Sequence, residues 1–262
     1  MSKISIIGCG WLGFSLGEAL IQSGYEVIGS TTTEDKLQKL TDAGIQPVLF
    51  RLEPMPMGKD FNQLFDADLL IVNIPPGRKT NPPHYYEEQI KYLKYQLKHA
   101  GIRRVIFISS TSYYPNTNDV VTTDTAFDYE AGSSEAVVKG EQQITQIEQD
   151  LVILRCGGLM GGDRIPGRWF SGKETKGADT LVNYIHRDDV IKVIQEFIKK
   201  WPEAKRTMNL VSDDHPTRKE VHETMARQYG FEPPVWIAPE KVASKVVESD
   251  FKNWNLKSPL AY

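Results

Sequence analysis

The hydrophobic positions of the chain follow two patterns that alternate from the first residues onward. Short, continuous apolar runs predict buried strands, and apolar residues spaced three and four positions apart predict amphipathic helices. The expected strands are Lys3 to Ile7, Glu26 to Gly29, Pro47 to Phe50, Leu69 to Ile74, Val105 to Ile108, Leu151 to Leu154 and Met208 to Val211. The expected helices contain Leu12 to Leu20, Leu37 to Leu40, Ile90 to Ala100, Ala136 to Gln149 and Val190 to Ile198, with a last helix from Thr217 to near Gly230.

End signals support several of these helices. Thr217 and Glu220 have capping-box spacing, and Thr33 is placed to cap the second helix. Gly24 and Gly44 follow helical segments, where glycine commonly ends a helix. The regular alternation of strand and helix predicts a doubly wound α/β fold around a mostly parallel sheet.

A glycine-rich sequence, Gly8-Cys9-Gly10-Trp11-Leu12-Gly13, joins the first predicted strand to the first predicted helix. It fits G-x-G-x-x-G in the strand-to-helix context that binds a dinucleotide. Gly8 permits a tight turn, Gly10 lets a pyrophosphate approach the backbone, and Gly13 lets the helix pack closely. Trp11 and Leu12 open a helix whose N-terminus favours anions through its N–H groups and dipole. The sequence therefore predicts a Rossmann-type site for NADP or NAD.

The end of the second predicted strand bears on the choice between the two nucleotides. NAD sites usually place an acid there, whereas this chain has Ser30, Thr31 and Thr32, with no acid before Glu34. A hydroxyl-rich loop does not repel a 2′-phosphate, and Lys36 could approach one, so we expect NADP in preference to NAD. The alternative is that the threonines only cap the next helix.

Asn73, Ile74 and Pro75 lie at the end of the fourth predicted strand. Because a dinucleotide crosses the carboxyl ends of the strands in such folds, we expect this backbone to contact the cofactor. The alternative is a proline turn that simply ends the strand.

Strand signals are sparse in residues 157–180 and 213–262, and the last segment is rich in proline. We expect residues 1–156 and 181–212 to form the dinucleotide-binding Rossmann domain. Residues 157–180 and 213–262 would then form a smaller C-terminal domain on the substrate side.

Composition narrows the class of protein. The net charge is −3, which gives no general attraction to nucleic acid or anionic membranes. The two cysteines, Cys9 and Cys156, have no ligand spacing, so we expect neither a disulfide scaffold nor a metal site. The N-terminus has no secretory apolar region and no apolar run reaches the ~20 residues of a membrane span, so we expect a cytoplasmic protein.

Four further motifs resemble the extended short-chain dehydrogenase/reductases of the NAD-dependent epimerase/dehydratase group. They are Ile108 to Tyr114, Leu154 to Gly161, Ile185 to Val190 and Met208 to Leu210, so that the resemblance spans about residues 1 to 230. Three segments are similar, more narrowly, to the bacterial YeeZ-type proteins: Gly10 to Gly13, Ser109 to Ser112 and Pro166 to Phe170.

The resemblance implies a nicotinamide cofactor and a small-molecule substrate such as a nucleotide sugar or a phosphorylated compound. It implies an oxidoreductase or a sugar-nucleotide epimerase/dehydratase that acts by hydride transfer. Ser110 takes the position of the family's catalytic Ser or Thr, where it would orient the substrate oxygen, and Ser109 stands among the cofactor contacts.

The chain departs from this group at the catalytic pair, a tyrosine that moves the proton and a lysine one helical turn later. Alignment places Ser133 at the tyrosine position and Val137 at the lysine position, and no Tyr-x-x-x-Lys occurs in the chain. Tyr129, four residues before Ser133, is our candidate replacement. Tyr113, Tyr114 and Lys139 are further candidates, and for each of the four the alternative is packing or solvation.

Two functions therefore stay open at this point. The chain is either an enzyme in which a non-family group or a water moves the proton, or a non-catalytic sensor or scaffold that binds pyridine nucleotides.

Basic and aromatic residues in the segment 164–173 are the candidates for binding substrate. Arg164, Arg168 and Lys173 could hold a phosphate or carboxylate, and Trp169 could stack on a sugar or base. The alternative is a solvated loop with a buried tryptophan.

Two other groups of residues are expected to be structural. His186 supports packing of its strand. The tyrosines of the long middle helix are expected in the core or in a homodimer interface: Tyr85, Tyr86, Tyr92 and Tyr95.

Overall fold

The structure, a computed structural model, describes residues 2–77, 81–203 and 206–261. The strands in these ranges are β1 (Lys3–Ile7), β2 (Glu26–Thr31), β3 (Gln46–Glu53), β4 (Met55–Gly58), β5 (Leu69–Val72), β6 (Arg104–Ser110), β7 (Val120–Val121), β8 (Asp150–Cys156), β9 (Gly158–Met160), β10 (Glu174–Thr175), β11 (Tyr184–His186), β12 (Thr207–Leu210), β13 (Val235–Trp236) and β14 (Val246–Val247). The helices are α1 (Trp11–Gln22), α2 (Leu37–Asp42), α3 (Pro83–Lys98), α4 (Glu135–Ile144), α5 (Pro166–Trp169), α6 (Arg187–Lys199) and α7 (Arg218–Tyr229). None of the helices in the described ranges is long and apolar enough to cross a membrane.

Eight strands form the central sheet, in the order β12-β8-β6-β5-β1-β2-β3-β4. The pairs β1–β2, β1–β5, β2–β3 and β5–β6 are parallel, and β3–β4 is antiparallel. Apart from the edge strand β4, this is the strand order of a doubly wound fold, in which the winding reverses beside the first strand. The sheet confirms the predicted α/β class and its Rossmann-type topology.

The winding reverses between β1 and β5, and this reversal determines where a ligand site is expected. The two strands are parallel, with Ile7 opposite Val72, so their carboxyl ends meet at one edge of the sheet. All of β5 is buried, as its continuous apolar run predicted. In such sheets ligands bind outside the carboxyl ends of the strands at the reversal. Gly8 and Asn73, the residues that follow β1 and β5, lie at this point.

The chain divides into two compact units. The first comprises Met1–Ser109, Ser134–Leu154 and Ile194–Arg206. Its core joins α3 to the sheet through buried apolar side chains: Ile90, Leu93, Leu97, Val105 and Phe107. These side chains explain the helical spacing seen in the sequence, since one apolar face of α3 packs on the sheet.

The second unit comprises Ser110–Ser133, Arg155–Val193 and Thr207–Tyr262. It contains three short parallel pairs, β9–β11, β10–β13 and β7–β14. Helix α7 begins with the capping box predicted for Thr217 and Glu220, with both hydrogen bonds present, and ends at Gly230 in a left-handed conformation. The functional domain boundaries expected from the sequence stay a prediction.

Local predictions were wrong at several places, and the reason is visible at three of them. The helix expected to reach Gln149 ends at Ile144, because the following amides of Gln146 and Ile147 bond to the carbonyl three residues back rather than four. Strand β4 was missed because it contains Pro56, which is tolerated at a sheet edge but weakens a strand signal. Thr33 precedes a 3₁₀ turn at residues 34–36, and its side chain makes no capping hydrogen bond.

Candidate functional site

The glycine turn between β1 and α1 is shaped by contacts that only glycine permits. Gly8 has φ +99°, and a Cβ there would collide with the carbonyl oxygen of Asn73. A Cβ on Gly13, in the first turn of α1, would collide with the carbonyl oxygen of Gly8. Gly8 and Gly13 are therefore required by the fold itself, because each allows backbone to approach backbone.

Gly10 differs from the other two glycines of the motif. It is the N-cap residue of α1 and it is exposed. Apart from Gly10 itself and its two chain neighbours, no described residue has an atom within 4 Å of the position that a Cβ on Gly10 would occupy. Packing within the described chain gives no reason for glycine at this position. The first turn of α1 also contains no acidic residue, so the positive end of the helix dipole faces no opposing carboxylate from its own turn.

Side chains from β2 and the end of β5 hold the glycine turn in place. The amide of Gly8 donates to Ser30 Oγ over 2.9 Å, and the amide of Cys9 donates to the Ser30 carbonyl over 2.9 Å. Asn73 Nδ2 donates to the Gly8 carbonyl over 3.0 Å.

Burial raises the pKa of the Cys9 thiol to about 12, which keeps this thiol neutral and unreactive.

The remaining residues predicted to contact the cofactor differ in exposure. The Ile74 carbonyl accepts from the buried Tyr86 hydroxyl over 3.1 Å, and Pro75 is exposed. Thr31 is buried and its hydroxyl bonds to the backbone of Thr33, whereas Thr32 is exposed. The exposed group nearest in sequence to the end of β2 is thus the Thr32 side chain.

Ser109, at the end of β6, binds a buried carboxylate. Its hydroxyl donates to Oε1 of Glu141 over 2.5 Å, and Glu141 is only 3% exposed. Burial raises the pKa of Tyr86, and the nearby Glu141 charge raises it further. Glu141 was not among the predicted site residues, because a glutamate in a helix with many polar residues usually faces solvent.

Ser110 accepts two hydrogen bonds from Ser112. The amide of Ser112 donates to Ser110 Oγ over 3.2 Å, and the Ser112 hydroxyl donates to the same oxygen over 3.0 Å. Within the part of the chain that the structure describes, no group accepts a hydrogen bond from the half-buried Ser110 hydroxyl. Its proton is therefore available to an outside acceptor, as expected for a group that orients a substrate oxygen.

Ser133, which the sequence analysis placed at the tyrosine position of the epimerase/dehydratase group, is exposed and precedes α4. Its hydroxyl donates to the Ser112 carbonyl over 2.6 Å and accepts from Lys245 Nζ over 3.1 Å. Val137, at the lysine position, is buried at 4% exposure. The sequence analysis missed Lys245, since a lysine in an irregular, proline-rich segment carries no signal of burial.

The tyrosines considered as replacement catalytic groups form one aromatic cluster. Tyr129 is half-exposed and packs edge-on against Tyr113 and near Phe127. Tyr114 is fully buried, donates to Asn209 over 2.7 Å and accepts from Arg155 over 2.8 Å. Tyr113 and Tyr114 are both buried. Burial favours a packing role for these two side chains over a catalytic one.

Lys139, the remaining replacement candidate, forms a surface ion pair with Glu135 over 2.6 Å, one helical turn away.

The segment predicted to bind substrate has an aromatic anchor and three exposed cations. Arg164, Arg168 and Lys173 are exposed. Trp169 packs against Tyr184 and His222, with ring centroids 5.4 and 5.7 Å apart.

His222, which the sequence analysis missed, is fully buried beneath this segment. Its Nδ1 lies 2.6 Å from the Pro166 carbonyl, and its Nε2 lies 3.1 Å from the Tyr184 hydroxyl. Burial lowers the pKa of His222 to about 4, so the ring is neutral near pH 7.

Replacement of Gly13 and of Gly10 by valine should cause losses of stability of different size. Gly13→Val should lower the free energy of unfolding by about 3 kcal/mol, because the side chain must displace the Gly8 backbone. Gly10→Val should cost about 1 kcal/mol, since it replaces a favourable N-cap residue but meets open space. Urea denaturation of both variants measures the difference, and equal losses would contradict the geometry described here.

Stability should fall between pH 7.5 and pH 5 because of His222. The folded state keeps the ring neutral to about pH 4, whereas the unfolded chain takes up a proton near pH 6.5. Stability present above pH 7 is therefore lost as the pH falls, by about 2 kcal/mol at pH 5. Urea denaturation at both pH values should show a correspondingly smaller loss in His222→Gln, which can keep hydrogen bonds without titrating; an unchanged loss would refute the assignment.

Comparisons with known proteins found a family model that matches the N-terminal part of the chain and solved structures that share its fold. A family model described as "NADP oxidoreductase coenzyme F420-dependent" matches residues 3–78, which contain the glycine turn, Ser30 and Asn73. Among solved structures, a functionally unknown conserved protein from Silicibacter pomeroyi superposes with a TM-score of 0.75 at 20% identity, over 99% of this chain and 95% of that one. MoeE5, in complex with UDP-glucuronic acid and NAD, superposes with a TM-score of 0.77 at 17% identity, over 95% of this chain and 90% of that one.

Sequence similarity is higher to Protein YeeZ of Escherichia coli strain K12. The two chains are 33% identical over 237 residues, which cover 89% of this chain and 86% of YeeZ. The resemblance expected from three short segments therefore extends over most of the chain. The chain belongs to the YeeZ family.

Proposed function

We propose that this chain binds NADP or NAD at the glycine turn and is an atypical oxidoreductase or sugar-nucleotide epimerase/dehydratase-like enzyme. The observation that carries the proposal is the contrast among the three glycines. Gly8 and Gly13 are explained by protein contacts, whereas the Cβ position of Gly10 opens onto space at a helix N-terminus. A pyrophosphate needs such an open backbone and such a positive helix end.

The comparisons support the same class of ligand. The matching family model describes NADP oxidoreductases and covers the part of the chain that contains the glycine turn. MoeE5, which shares the fold, is bound to NAD and a nucleotide sugar. We infer NADP rather than NAD because Ser30, Thr31 and Thr32 end β2 without an acid. Backbone contacts from Asn73, Ile74, Pro75 and Ser109 belong to the proposed cofactor site.

The bound cofactor would supply or accept a hydride. Ser110 would donate a hydrogen bond to the substrate oxygen, with its own lone pairs occupied by Ser112. Ser133 cannot act as a phenolate-type base, so the proton would move through Tyr129 or through water. Arg164, Arg168 and Lys173 are exposed cations suited to a phosphate or carboxylate of the substrate, and Trp169 adds an aromatic face.

A second candidate function is binding without turnover, as a nucleotide sensor or scaffold. Ser133 and Val137 in place of the family's tyrosine and lysine favour it. The cytoplasmic location, the homodimer and the division into cofactor and substrate domains stay predictions that accompany either function.

Calorimetric titration should detect binding of NADP, and weaker binding of NAD. Gly10→Val should reduce NADP affinity at least tenfold, because its side chain would collide with the pyrophosphate. Thr41→Ala, a surface change in α2, serves as a control and should leave the affinity unchanged. Absence of binding by either nucleotide, or unchanged affinity in Gly10→Val, would refute the cofactor proposal.

Turnover by an oxidoreductase should be detectable as a change in absorbance of the reduced nicotinamide. An epimerase or dehydratase returns the cofactor to its starting state, so its turnover is followed by chromatography of the nucleotide-sugar products. The substrate panel is UDP-glucose, UDP-glucuronic acid and simple carbonyl compounds, each with NADP(H) and NAD(H). Ser110→Ala should lower kcat about 100-fold, since loss of a donor to a developing oxyanion has effects of this size. Binding with no turnover across the panel would favour the sensor or scaffold.

A further inference from the structure

Lys245 is a buried cation that the proposed mechanism does not yet use. The side chain lies in the second unit and the residue is 8% exposed. Its Nζ donates to the Tyr114 carbonyl over 2.7 Å, to Asn116 Oδ1 over 2.9 Å and to Ser133 Oγ over 3.1 Å. An ammonium group is costly to bury unless it is hydrogen-bonded. The three bonds therefore fix the positions of residues 114, 116 and 133 relative to one charge.

Hydrogen bonds connect Lys245 to Ser110 through two intermediate residues, Ser133 and Ser112. Lys245 donates to Ser133, and the Ser133 hydroxyl donates to the Ser112 carbonyl. Ser112 then donates twice to Ser110, through its amide and its hydroxyl. Accepted hydrogen bonds polarise a hydroxyl and make it a better donor. Ser112 is thus held by Ser133 at its carbonyl, and it holds and polarises Ser110 through its own amide and hydroxyl. No described group accepts the Ser110 proton.

Helix α4 does not supply a buried cation, although the epimerase/dehydratase group has its catalytic lysine on the corresponding helix. Its Val137 is apolar and buried, and its Lys139 pairs with Glu135 at the surface. Lys245 comes from a segment 112 positions away from Ser133. The positive charge beside Ser133 is therefore delivered by tertiary packing of the C-terminal segment.

We infer that Lys245 is a positioning residue of the candidate active site. It holds Ser133, and through Ser133 the Ser112 carbonyl, so that the Ser110 hydroxyl points to the substrate oxygen. The inference rests on the proposed function and adds to it the group that replaces the lost lysine.

The test compares Lys245→Met and Ser133→Ala with the unmodified chain in the turnover assay and in NADP calorimetry. Both variants should lower kcat at least tenfold, the usual effect of losing a supporting hydrogen bond behind a reacting group. The KM of the substrate and the Kd of NADP should stay within twofold. Ser133→Thr, which keeps the hydroxyl, should recover at least half of the lost rate. Lys241→Met, at an exposed lysine of the same segment, is the matched control and should behave as the unmodified chain.

A double variant tests whether Lys245 acts through Ser110. Adding Lys245→Met to Ser110→Ala should cause little further loss of kcat, because the hydroxyl that Lys245 helps to position is already absent. Independent, multiplying losses would overturn the inference.

The remaining outcomes are also decisive. If Lys245→Met fails to fold, the test rests on Ser133→Ala, which changes an exposed residue and should fold. An unchanged kcat in Ser133→Ala then overturns the inference. Binding of NADP without turnover overturns the positioning role and leaves the cofactor proposal intact. Absence of NADP binding overturns both.

Discussion

The contact between Gly8 and the backbone of Asn73 is the constraint on which the rest of the candidate cofactor site depends. It brings the turn after β1 against the end of β5, at the reversal of the sheet. The missing Cβ of Gly8 makes room for the Asn73 carbonyl, and the missing Cβ of Gly13 makes room for the Gly8 carbonyl. Helix α1 can begin only where these two contacts put it. Gly10 lies between these two contacts, and the position of its missing Cβ is open.

The two groups of candidate residues are held by different kinds of contact. Around the glycine turn, the amides and carbonyls of the backbone make most of the contacts, with Ser30 and Asn73 as side-chain braces. Around Ser110, hydroxyl groups and one ammonium make them. Backbone contacts suit a ligand recognised by its phosphates, whereas oriented hydroxyls suit a small polar group whose charge changes during a reaction. The two kinds of contact match the two parts of the proposed function.

The sequence predicted the elements well where the signal was local. The capping box at Thr217, the buried run of β5 and the strand-turn-helix at Gly8 all appear at the expected positions. Boundaries were less accurate: α4 ends at Ile144, five residues before Gln149, where the backbone changes to turns without a glycine or proline to signal it. Among the candidate site residues, Ser110 has the geometry expected of it, although its role as a catalytic residue stays a prediction.

The sequence by itself determined the fold class and the place of the glycine turn. Hydrophobic periodicity and glycine spacing act over a few residues, so they can be recognised without knowing the fold. Only the tertiary structure decided that Lys245 lies against Ser133, that His222 lies beneath Pro166, and that Glu141 binds Ser109. A single Lys, His or Glu has the same neighbours in sequence whether it is solvated or buried. Its environment is decided when distant segments pack together, and its chemistry is decided with it.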